Sequence, residues 1–117
     1  MQRIMLKSKI HRAVLTGTNL DYEGSIAIDP ILLEAADILP NEQVQVLNIN
    51  NGSRITTYAI AAERESGTVM LNGPAARSGI AGDLVVILTY VNVNSDEIDG
   101  YSPKIVKVNS ENQPVDA

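Results

Sequence analysis

The segment "DLVVILTYVNV", residues 83–93, does most to restrict the fold. It is apolar almost without a break from Leu84 to Leu88 and rich in β-branched residues. Such a run predicts a strand covered on both faces. It falls well short of the ~18 apolar residues that span a bilayer. A strand buried on both sides needs partners, and the chain supplies mostly more strands. "RIMLKSKIHRAVLTG" (3–17) reads as one long, partly exposed strand or two short ones, and "LDYEGSIAI" (20–28) as a second strand region. "EQVQVLNIN" (42–50) alternates and then shifts phase at Val46-Leu47, which predicts a bulge. "NNG" (50–52) is a hairpin turn, with "SRITTYAIAA" (53–62) as the return strand. "TVMLNG" (68–73) and "SPKIVKVNS" (102–110) read as further strands, and "PAARSG" (74–79) as a single helical turn. The clearest helix is 29–40, with Asp29 as N-cap, Pro30 at the first helical position and Pro40 as its stop.

Many short strands with one or two short helices predict a mainly β fold, a small closed barrel. Closure also removes exposed strand edges. At 117 residues the chain is one domain. It holds no Phe, no Trp and four Tyr, so Ile, Val, Leu and Ala must build the core. Residues 110–117 are polar and are expected to form a loose tail.

The composition also narrows function. A net charge of −5 argues against a nucleic-acid partner, which calls for a basic face. Without Cys there is no disulfide, thiolate metal site or cysteine nucleophile. The start "MQRIMLKSKIHR" is too charged for a signal peptide, and no run is long enough for a membrane span. Cytoplasm is the expected compartment.

"KIHRAVLT", "YEGSIAIDP", "RITTYAIAAERESG", "LNGPAAR" and "GDLVVI" follow one another in an order and spacing that resembles the aspartate 1-decarboxylase family. The likeness extends over roughly residues 1–93. It implies a six-stranded double-psi β-barrel, assembly as a homotetramer, and the conversion of L-aspartate to β-alanine for pantothenate and coenzyme A synthesis. It also implies a proenzyme that cuts itself at Gly24-Ser25 into segments 1–24 and 25–117. Ser25 then becomes a covalent pyruvoyl group that forms a Schiff base with the substrate, so neither PLP nor a metal is expected.

The resemblance assigns roles that the residue chemistry can support. Ser25 Oγ can attack the Gly24 carbonyl, and Gly24, lacking Cβ, can take strained angles that leave that carbonyl open. Tyr58 is the expected proton donor to the substrate carbon. A Thr57 hydroxyl near the scissile bond would stabilise an oxyanion there and promote processing. On strand alternation, Thr57 and Tyr58 face opposite sides, so one shared site needs a bend or a second subunit. Arg54 can hold a carboxylate through its fork, Lys9 adds a second charge, and His11, in phase with Lys9, is expected to share a site with it and to serve in processing, while Thr57 is also expected to touch the substrate. Asn72, Gly73, Pro74 and Ala75 form the expected substrate cradle. Pro74 has no N–H, which leaves Gly73 and Ala75 as its backbone donors. Tyr22 is a further candidate. L-Aspartate and copies of the same chain are the expected partners, with an accessory maturation factor as an open alternative. Two other readings compete: a non-catalytic β-barrel that binds a ligand or partner, and a swapped-hairpin DNA-binding regulator, which the acidic balance disfavours.

Overall fold

The computed structural model describes residues 1–115. They are mainly β. The strands are β1 (Gln2–Val14), β2 (Gly17–Asn19), β3 (Ser25–Ile28), β4 (Gln43–Asn48), β5 (Arg54–Ala61), β6 (Val69–Asn72), β7 (Leu84–Asn94), β8 (Lys104–Val108) and β9 (Pro114–Val115). One helix, α1 (Pro30–Ala35), follows β3, and 3-10 turns occupy Gly73–Ser78 and Ser95–Glu97. The strands pair in the order β2-β6-β3-β5-β4-β7-β1-β8-β9. β1 runs into β2 through Leu15 and Thr16. The Leu15 N–H donates to Asp83 O on the β7 side, and the Thr16 N–H donates to Val69 O on the β6 side. One stretch of chain therefore touches strands from distant places in that order.

The core is aliphatic, as an aromatic-poor sequence requires. Ile10, Leu15, Ile26, Ile28, Leu32, Val44, Val46, Val69, Leu71, Val85 and Ile87 are all essentially inaccessible. Each such burial contributes ~1.5–3 kcal/mol. Alternation explains the choice: on β4, Val44 and Val46 point inward while Gln43 and Gln45 do not.

Several expectations need correction. β4 carries no bulge at Val46-Leu47, because its ladder to β5 is regular from Gln43↔Tyr58 to Leu47↔Arg54. The inward position after Val46 is Asn48, a buried polar residue, and Leu47 faces outward. Asn48 is satisfied there: its Nδ2 donates to Ser78 O and Asp83 Oδ2, and its Oδ1 accepts from the Asn50 and Asn51 N–H groups. The helix is shorter than 29–40. Asp29 caps it by accepting from the Ile31 N–H, and Pro30 opens it, but Asp37 turns left-handed at φ 55° and Ile38 drops back into the core. β7 is not covered on both faces throughout. Val85, Ile87, Leu88 and Thr89 are buried, but from Tyr90 onward the strand is largely exposed. Residues 20–24 are not strand, so Gly24-Ser25 marks where a turn ends and β3 begins.

The tail is also more ordered than its composition suggests. Asn112 is 2% exposed. Its amide donates to Val14 O and Gly67 O and accepts from the Val14 N–H, all at 2.8 Å. β9 then pairs with β8. Residues 116–117 of the expected tail lie outside the described residues.

Candidate active site

Ser25 opens β3 and is 1% exposed. β3 pairs antiparallel with β6, and Ser25 sits opposite Asn72. The Asn72 side-chain Nδ2 donates to Ser25 Oγ at 3.2 Å, and Ser25 Oγ donates to Glu23 O at 3.2 Å. The hydroxyl is thus held from both sides in a buried place. Asn72 is 2% exposed, and its Oδ1 has no hydrogen-bond partner among the described residues. An unpaired buried acceptor costs ~1–3 kcal/mol and invites a donor that arrives later.

Beside this serine lies a cleft of about 430 Å³ lined by Gly24, Ile55, Thr56, Thr57, Tyr58, Pro74, Ala75 and Ser78. Strand pairing explains how Thr57 and Tyr58 both reach it. β3 covers β5 only at Ala59–Ala61, whereas β4 covers the other edge as far as Arg54. The β5 edge at residues 54–58 is therefore open on the β3 side. The cleft runs along that edge, so residues from both faces of the strand line it without a bend. No hydrogen bond links the Thr57 hydroxyl to Gly24. None of the lining side chains is charged.

A second cleft of about 320 Å³ lies on the other side of Asn72 and includes Tyr22. Tyr22 is 56% exposed. A larger cavity, about 780 Å³, is elsewhere and is lined by Asp29, Glu65 and Glu111 among others. Its carboxylates are the wrong charge for the dicarboxylate that the sequence resemblance implies.

The expected cations are not gathered at Ser25 within one chain. Lys9, Leu88, Gln45 and Thr56 form one cross-strand row, which sets Lys9 three strand spacings from β5, ~14 Å. Arg54 is exposed, four residues before Tyr58, and donates to Gln45 Oε1 at 2.8 Å. His11 pairs with Lys107 across the β1–β8 ladder. Burial first, then the charges of Lys9, Arg12 and Lys107, hold its imidazole below the usual histidine range. Its buried Nδ1 has no partner among the described residues.

Glycine placement also departs from expectation. Gly24 is not left-handed, and a Cβ there would meet only Pro74 Cδ at 3.5 Å. Gly73 is the demanding one, at φ 63° and pressed on the backbone of residues 22–24. Sequence reasoning missed Glu23 as the acceptor for Ser25, and Ile55, Thr56 and Ser78 as cleft walls. Glu23, Ile55 and Thr56 lay inside the quoted motifs; Ser78 follows one directly and carried no signal of its own.

Comparison with known proteins decides the family. The aspartate decarboxylase family model matches residues 1–115. The chain belongs to the aspartate decarboxylase family. It is 56% identical over 115 residues to the aspartate 1-decarboxylase of Thermoanaerobacter pseudethanolicus, with 98% of each chain covered. It is 55% identical over 116 residues to that of Acaryochloris marina, covering 99% of this chain and 88% of the relative. With the Staphylococcus aureus enzyme it shares 52% over 112 residues, covering 96% and 88%. Membership in this family gives the neutral cleft a defined chemical context: hydroxyls, an amide and backbone groups around a buried serine.

Proposed function

We propose that the chain is an aspartate 1-decarboxylase that first cuts itself at Gly24-Ser25. It then removes the α-carboxylate of L-aspartate, giving β-alanine and CO₂ for pantothenate synthesis. The observation that carries this reading is the Ser25 hydroxyl, buried and held between Asn72 and Glu23 beside the Thr57–Tyr58 cleft.

In the maturation step, Ser25 Oγ attacks the Gly24 carbonyl. The Gly24–Ser25 C–N bond breaks, an ester forms and the nitrogen takes a proton. Loss of the Ser25 Cα proton then breaks the Cβ–Oγ bond. Segment 1–24 leaves as a carboxylate, residue 25 becomes dehydroalanine, and hydrolysis releases ammonia to leave the pyruvoyl group. Asn72 fits this outcome, since its unpaired Oδ1 and its Nδ2 flank residue 25. The Thr57 hydroxyl, on the same cleft wall as Gly24, is placed to stabilise the oxyanion that develops at the Gly24 carbonyl.

The pyruvoyl carbonyl supplies the electron sink for loss of CO₂. The chain's own residues bind, orient and protonate. Tyr58 OH delivers a proton to the substrate Cα. Asn72 and the N–H groups of Gly73 and Ala75 hold a carboxylate, with Pro74 shaping the wall. Tyr22, exposed in the neighbouring cleft, is a candidate to reach the site rather than one of its walls.

A neutral cleft cannot by itself match a dicarboxylate. We place the missing charge on a second copy, which supplies Lys9, Arg54 and His11. In support, half-buried Leu47 and Val86 sit opposite each other on the outward rows of β4 and β7, beside Gln45 and Arg54, an apolar spot with charge at its rim. A homotetramer of the 12.6 kDa chain is the expected assembly, and a monomer by native mass would oppose it. The seam at Leu15 and Thr16 supports a closed six-stranded double-psi barrel, in which β1/β2, β6, β3, β5, β4 and β7 form a ring with β8 and β9 outside. Amides of Leu15 and Thr16 should then exchange as slowly as those of Val44 and Val46; fast exchange would open the ring. No helix among the described residues is long and apolar enough to cross a membrane.

The test combines intact mass, amino-terminal sequencing and a β-alanine assay. Two fragments are expected, the larger blocked at residue 25. Ser25→Ala should fold, stay whole and make no β-alanine. A whole chain with full activity would refute the reading.

A further inference from the structure

We infer that Gly73 sets the position of the scissile segment, and that its missing side chain is needed for the cut to run at full pace. The inference rests on the self-cleavage proposed above and goes beyond the substrate-cradle role given to Gly73 there. A Cβ on residue 73 would lie 2.6 Å from Tyr22 O, 2.7 Å from Gly24 N and 2.8 Å from Gly24 Cα. All three are main-chain atoms of residues 22–24, so none can swing aside as a side-chain tip does. To reach an ordinary contact of 3.4 Å, that segment must retreat by more than half an ångström.

The retreat would not be shared by the nucleophile. Ser25 is fixed by its pairing with Asn72 and by the Asn72 amide. Gly24, whose carbonyl the serine attacks, would move with Glu23 against a Ser25 Oγ that Asn72 still holds, stretching the Oγ–Glu23 O hydrogen bond as it goes. A misplacement of ~1 Å between reacting groups costs up to ~10²-fold in rate. Gly73 is therefore a positioning residue, and its effect falls on cutting.

A second glycine separates collision from backbone strain. Gly52 has φ 78° against φ 63° at Gly73, but a Cβ there would meet nothing within 4 Å. Full-length wild type, Gly73→Ala and Gly52→Ala are purified, checked for fold by circular dichroism, and followed for cutting by denaturing gel and intact mass. Gly52→Ala should cut at the wild-type pace. Gly73→Ala should be folded but slowed ~10- to 10²-fold. If Gly73→Ala does not fold, Gly73→Asn replaces it, because asparagine tolerates the left-handed region yet carries the same Cβ. A folded Gly73 variant that cuts at the wild-type pace overturns the inference. So does equal slowing in the Gly52 variant, or loss of fold in both Gly73 variants while Gly52→Asn folds. An uncut wild type removes the self-cleavage reading, and the inference with it.

Discussion

Replacing Asn112 should cost the chain a large share of its stability. Its side-chain amide mimics a strand backbone: it accepts from the Val14 N–H and donates to Val14 O and Gly67 O, each at 2.8 Å. Net worth is ~0.5–1.5 kcal/mol per bond. Removal also leaves three main-chain groups to find other partners in a part-buried place, which raises the expected loss to ~2–4 kcal/mol. Asn112 has φ 58°, so alanine would add backbone strain of its own, and Asn112→Gly is the cleaner substitution. A domain of this size is stable by only ~5–15 kcal/mol. The measurement is urea unfolding followed by circular dichroism, made in the uncut Ser25→Ala background so that cutting does not intrude. Asn112→Asp should do no better than glycine, since a carboxylate would face two carbonyl oxygens. A loss below ~1 kcal/mol for Asn112→Gly would refute the reasoning, and residues 109–113 would be an ornament on the fold.

Thr57→Val should slow or stop cutting, whereas Tyr58→Phe should cut normally and lose ~10²–10⁴-fold in turnover per pyruvoyl; gel and β-alanine assay together check the split, and wild-type behaviour in either variant removes that residue's role. Arg54→Lys should lower kcat/KM for aspartate by ~2 kcal/mol or more while sparing the cut, because the fork is lost though the charge stays; an unchanged kcat/KM would release Arg54 from the site. Stability should fall in two steps on acidification. Burial and neighbouring cations depress His11 in the fold, so below ~6.5 the unfolded chain takes up a proton first and stability drops. Burial alone would raise Asp29, but N–H donors from Ile31, Gly67 and Glu65, with the Arg64 charge, outweigh it and hold the carboxyl low. Its contribution is present above the usual carboxylate range and is lost as pH falls through the depressed value. Urea midpoints at pH 7.5, 5.5 and 3 read both steps, and His11→Gln should flatten the first.

What the sequence made legible was local chemistry. Asp29-Pro30 announces a helix start because capping needs only neighbours, and Asn50 to Gly52 announces a turn for the same reason. The serine, threonine, tyrosine and Asn72–Ala75 motifs pointed to one place, and Gly24, Thr57, Tyr58, Pro74 and Ala75 do line one cleft. What stayed hidden depends on partners far along the chain. Asn48 looks like the end of a strand until Ser78 and Asp83 arrive to satisfy it. Asn112 looks like tail until Val14, 98 positions away, is beside it. The open edge of β5 is a matter of how short β3 is, which no residue of β5 encodes. Lys9, His11 and Arg54 have the right chemistry, yet one chain does not gather them around Ser25.

β1 lies in the interior of the strand order, between β7 and β8, and its continuation β2 flanks β6. A cut after Gly24 would therefore free a covalent end without freeing a strand. The leading fragment could depart only by breaking an antiparallel and a parallel ladder at once, which is nearly the whole fold coming undone. Its residence time would equal the lifetime of the native state, which for small domains ranges from under a second to days. Labelled 1–24 peptide added to mature protein should exchange in no faster than the protein unfolds. The fragment thus behaves as a kinetically trapped subunit, and maturation becomes irreversible in practice without any bond holding the two pieces together.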